Sequence, residues 1–127
     1  MDSPIRHNPD SVPAPVGGYS QGVETRGARH LFVSGQIPEG ADGTVPDGFE
    51  AQCELVWANL LEVLRSAGMA ADNLVKVTTF LTHPDQAEAN ARVRVRALGD
   101  ASPALTVVVV QTLDSRWLLE IEAIAAA

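Results

Sequence analysis

Four groups of side chains in this sequence have the chemistry to bind or react: three histidines, one cysteine, a short run of arginines, and two carboxylates near the end. His7, His30 and His83 share no spacing that suggests a metal site, and none has a cysteine or carboxylate pattern around it, so no metal is expected. Cys53 falls on the apolar side of a helical repeat, where a thiol is an inert small hydrophobe rather than a nucleophile. Arg92, Arg94 and Arg96 are two residues apart, a spacing that spreads them around a helix, and they read as a solvated helix surface. Glu120 and Glu122 share one face of WLLEIEAI, with Trp117, Leu119, Ile121 and Ala123 on the other. Two readings are open for the pair: solvated on an outer face, or matched by a base on a neighbouring subunit. Just before them, SPALTVVVVQ runs from Ser102 to Gln111 without a charge, in a chain that is 20% charged.

The elements that must position these groups follow from periodicity. GYSQGVE and HLFVSGQ flank TRGAR, whose Gly27 can take a positive backbone angle, and together they predict a β-hairpin. Asp47 followed by Glu50 is a helix-start signature. Phe49, Cys53, Val56, Trp57, Leu60, Leu64 and Ala67 then recur at three- and four-residue intervals, and Gly68 closes the helix. LVKVTTFL is the strand that follows. Pro84 opens a second helix, capped by Thr82 or His83 and ending at Gly99. TVVVV lacks alternation and is expected to be buried on both faces near the middle of the sheet. The order predicts an α+β domain with two helices on one face of a mixed sheet.

At 127 residues the chain is the size of one domain. Residues 1–16 read as a flexible or surface-draped tail, with four of the eight prolines in the first fifteen positions, and 17–127 as the folded domain. A net charge of −7 repels polyanions, so nucleic acid is not an expected partner. No apolar run approaches the roughly 18 residues of a membrane span. The opening residues lack a secretory layout and the single cysteine cannot form an internal disulfide, so a cytoplasmic location is expected.

GGYSQGV, LFVSGQIP, LLEVLRSAGMAADNLVKVTTFLT, the SPA before the last strands, and LLEIEAIA, taken in this order, resemble the RidA (YjgF) family of reactive-intermediate or imine deaminases. The match runs from about Gly17 to Ala125. The resemblance implies a chorismate-mutase-like fold assembled as a homotrimer, with three clefts between subunits. In those clefts 2-imino or 2-enamino acids are hydrolysed to 2-keto acids and ammonia without metal or organic cofactor. An endoribonuclease L-PSP label also attaches to the family, and the acidic balance argues against that activity here.

Carried onto this sequence, the water-orienting glutamate is Glu120, the cleft tyrosine Tyr19, the polar residue of the second helix Asn90, and the glycine of SGQ is Gly35. Each has a plainer alternative: Tyr19 as an amphipathic residue at a strand edge, Asn90 as a solvent-facing helix residue. The family's carboxylate-binding arginine is absent. Its P-A-R-S/T appears as Pro103, Ala104, Leu105 and Thr106, and the next position is Val107. A charge-assisted bond contributes about 1.5–3 kcal/mol. Losing one weakens carboxylate binding about ten- to a hundredfold. Arg116, in the turn LDSR, is a candidate substitute anchor or simply a surface residue. The sequence thus implies a small-molecule cleft, with imine or enamine hydrolysis on a substrate other than the usual 2-imino acids as one outcome. A non-catalytic ligand-binding or regulatory trimer is the other.

Overall fold

The computed structural model describes residues 4–127. In chain order it contains β1 (Ile5–His7), β2 (Gly22–Glu24), β3 (His30–Gln36), α1 (Phe49–Ser66), β4 (Leu74–Leu81), α2 (Ala87–Leu98), β5 (Ala104–Val109) and β6 (Leu119–Ala126). The main sheet has the order β3-β6-β4-β5, with β4 and β5 parallel and the other neighbours antiparallel. This is the α+β architecture the sequence predicts.

Both helices cover one face of that sheet. Cys53, Val56, Trp57, Leu60 and Leu64 of α1 are buried against Val77, Leu81, Leu119, Ile121 and Ala123. Burial alternates along β6 as far as Ala125: Leu119, Ile121, Ala123 and Ala125 are buried, whereas Glu120, Glu122 and Ile124 point to the opposite face. Among the described residues no layer covers that face, and Phe32 on it is 73% exposed.

Three local expectations are corrected. The residues before and after TRGAR do not form a hairpin: β2 pairs with β1, and β3 pairs with β6. Gly27 does not take a positive φ; it is required because a Cβ there would lie 2.8 Å from the Ala127 backbone, where Arg29 and Ala127 exchange backbone hydrogen bonds. The cap of α1 is Gly48, at φ 86°, and no side chain caps that end, so Asp47 does not fill this role. The Gly48 conformation, which side chains rarely adopt, turns the chain into the helix instead.

The TVVVV segment also departs from its expected place. β5 is an edge strand, and Val107, Val108 and Val109 are 41, 40 and 52% exposed. The run carries apolar side chains on both faces, yet within one chain neither face is fully covered. By contrast, the second helix starts as expected: a 3-10 turn at Pro84–Gln86 leads into α2, His83 Nδ1 accepts from the Asp85 N–H, and Gln86 Oε1 accepts from the N–H groups of Thr82 and His83. Gly99 ends α2 at φ 60°. Of the segment read as a tail, residues 1–3 lie outside the described residues; Ile5–His7 pair with β2 while remaining exposed.

Candidate active-site residues on two faces of one sheet

The residues singled out in the sequence fall into two groups, sorted by the pleat of the sheet. On the open face, Glu120 stands opposite Phe80 of β4. Between Val33 and Gln36, β3 is bulged against β6, and this irregularity brings Gly35 beneath the Glu120 side chain. A methyl group at Gly35 would overlap the Glu120 carboxylate and come within 2.8 Å of its Cδ. Glu120 is half-buried, and its carboxylate has no ion pair or hydrogen bond among the described residues. Thr106 shares this face; its hydroxyl accepts from Lys76 Nζ at 2.6 Å.

The second group lies on the helix-covered face, at the β5 edge. Leu105 pairs with Val77, a core residue, which sets its side chain on that side together with Val107. The strand edge is partly closed by the segment before β2. Ser20 bridges Ala104, its N–H donates to the Pro103 carbonyl at 3.0 Å, and its hydroxyl donates to the Ser102 carbonyl at 2.6 Å. This anchors the neighbouring Tyr19 beside Leu105. Tyr19, Gln21, Arg94, Leu105 and Val107 line a depression of about 300 Å³.

Arg94 is the residue that sequence reasoning missed. It is not on a solvated surface: it is 7% exposed, whereas Arg92 is exposed and Arg96 pairs with Glu50 and Glu54 at 3.5 and 3.2 Å. One Arg94 Nη donates to the Gly17 carbonyl at 3.3 Å, and its Nε–H has no partner among the described residues. Burial draws its pKa below the usual guanidinium value, opposed by Tyr19 and then Cys53. Its neighbours Arg92 and Arg96 have the same spacing in the sequence, and only in the folded chain do Asn90, Val93, Arg94 and Leu98 form the inward stripe of α2.

Asn90, one turn before Arg94, is 2% exposed and so does not face solvent. Its Oδ1 lies 3.9 Å from the Cys53 thiol, which donates to it from α1. Burial, and then the charges of Glu54 and Glu50, push that thiol up to about 12, which keeps it from acting as a thiolate nucleophile near neutral pH. Arg116 is elsewhere. Its guanidinium forks to Asp114 at 2.8 and 3.1 Å and holds that carboxyl down at about 2. It borders a different depression, with Pro46, Asp47 and Gln52. No group of three or more histidine, cysteine, aspartate or glutamate side chains suited to a metal ion occurs among the described residues.

Comparison with known proteins identifies the family. The profile for Endoribonuclease L-PSP matches residues 10–127. The chain belongs to the RidA (YjgF) family. It is 36% identical to a RutC family protein of Aquifex aeolicus over 119 residues, covering 90% of this chain and 92% of that protein. To the mitochondrial protein mmf2 of Schizosaccharomyces pombe it is 38% identical, covering 87% and 88%. Among solved structures, the Rid family protein YyfB of Yersinia pestis superposes with a TM-score of 0.90 at 30% identity, covering 99% of this chain and 100% of that one. RidA from an Antarctic Psychrobacter gives 0.74 at 30% identity, covering 94% and 97%.

Within the family fold, then, the candidate residues divide between two faces that one chain cannot bring together. Among the described residues, no helix is long and apolar enough to cross a membrane.

Proposed function

We propose that the chain assembles as a homotrimer in which the Tyr19–Leu105 depression of one subunit meets the Glu120–Gly35 face of its neighbour, forming clefts that hydrolyse a small imine or enamine. The observation that carries this reading is the Glu120 carboxylate, laid over Gly35 on an uncovered sheet face without a partner among the described residues. An unpaired, half-buried carboxylate next to a surface awaiting cover is suited to orienting water.

The chemistry needs little more. An imine carbon is already electrophilic: water adds to it, the C=N electron pair moves to nitrogen, and Glu120 carries the proton from the attacking water toward that nitrogen. The hydroxyl of the resulting carbinolamine then gives up its proton, which Glu120 passes to the nitrogen; the oxygen electron pair forms the carbonyl as the C–N bond breaks, and ammonia leaves. Tyr19 supplies a hydroxyl at the cleft wall, and Leu105 and Val107 supply apolar surface. The net charge of −7 supports this reading over RNA cleavage.

The test is ammonia release from imines generated in situ. Wild type is expected to turn over at least one of a panel, and Glu120→Ala to lower the rate by about 10²–10⁴-fold, the range for a lost general base. Turnover unchanged in Glu120→Ala would overturn the mechanism. Ligand-dependent thermal stabilisation without turnover on any imine would point to a binding protein instead.

A further inference from the structure

The chain lacks the arginine expected at position 105 and yet holds a guanidinium in the same depression, on a different element. Arg94 comes from α2, not from β5, and lines the cavity together with Leu105. Its surroundings do not neutralise it. Among the described residues no carboxylate lies within ion-pair distance, the titratable groups that act on it are Tyr19 and Cys53, and its one hydrogen bond in the protein is to the Gly17 carbonyl at 3.3 Å. A cation that is 7% exposed with an idle Nε–H is a costly arrangement unless an anion completes it.

We propose that Arg94 is the anion anchor of this cleft and that its ligand is a small organic monocarboxylate with an aliphatic body. A planar guanidinium matches the two oxygens of one carboxylate, and a single cation with no second base beside it suits one negative charge better than a phosphate dianion. Leu105 and Val107 offer the hydrocarbon its wall, and the roughly 300 Å³ space admits only a small molecule. The cation of this depression thus comes from the helix and not from the strand. The inference rests on reading this depression as the ligand cleft, and does not require turnover.

Titration calorimetry with butanoate and its uncharged analogue butanamide tests it. Wild type is expected to bind butanoate at least tenfold more tightly than butanamide. Arg94→Gln is expected to erase that preference, and Arg94→Lys to keep it at about tenfold lower affinity, because an ammonium cannot fork. Arg65→Gln, which removes an exposed guanidinium on α1 outside the depression, should retain the full preference. Equal binding of the two probes by wild type, binding of neither, or a preference that survives in Arg94→Gln would each overturn the proposal. Should Arg94→Gln fail to fold, the wild-type comparison and Arg94→Lys still decide. Absence of Glu120-dependent ammonia release leaves this result intact, so the two readings fail separately.

Discussion

The Glu120 carboxylate owes its position to the lack of a side chain at Gly35. The prediction at this scale is a double-mutant cycle. Gly35→Ala forces the Glu120 side chain to swing away and is expected to cost about 1–2 kcal/mol, as modest overpacking does. With Glu120→Ala the methyl has room, and the same substitution is expected to cost less than about 0.5 kcal/mol. Urea denaturation of the four proteins measures the coupling; additive effects would mean that the two residues do not meet. Arg94 and Leu105 teach a second lesson at this scale. A motif position records where a charge sits along the chain, whereas a ligand responds to where it sits in space.

At the scale of elements, the long connections are fastened by few groups. Gln52, 3% exposed on α1, donates to the carbonyls of Pro46 and Arg116 at 2.9 Å each and accepts from the Leu118 N–H at 2.8 Å. One side chain thereby ties the loop before α1 to the turn before β6. Gln52→Ala strips partners from these backbone groups and is expected to destabilise by about 1–3 kcal/mol. A change below about 0.5 kcal/mol in urea denaturation would show that the loops find other partners. Such a clamp was not legible in advance, because a glutamine within an apolar helical stripe reads as one of its exposed neighbours. The helices themselves were legible, from the spacing of Val56, Trp57, Leu60 and Leu64 and from Gly68 and Gly99 at their ends.

At the scale of the whole molecule, exposed valines on an edge strand and Phe32 on a bare sheet face are the features of a chain that expects company. On the reading proposed above, Val108, which shares the open face with Phe80, lies between subunits. Wild type is expected to elute as a trimer by light scattering. Val108→Asp, which adds a charge to that face, should give a smaller species with its circular dichroism preserved. A wild-type monomer would remove the intersubunit cleft altogether.

The sequence by itself determined the two helices, the strands of the main sheet and the family. Helical and strand periods are local, and YSQ, SGQIP and EIEAIA, in that order, carry the resemblance to the family that matches residues 10–127. By resemblance it also singled out Leu105, since that comparison needs only one position. Tertiary structure alone decided strand order: a run such as TVVVV tells that both faces are apolar, not whether its own chain or another covers them. It alone decided, too, that β1 and not β3 partners β2, because backbone pairing is nearly blind to side-chain type. The Arg94 site belongs to the same class. Three arginines two apart look alike along the chain, and only the packing of α2 against α1 and the Tyr19 segment turns the middle one inward, away from water and from every carboxylate described.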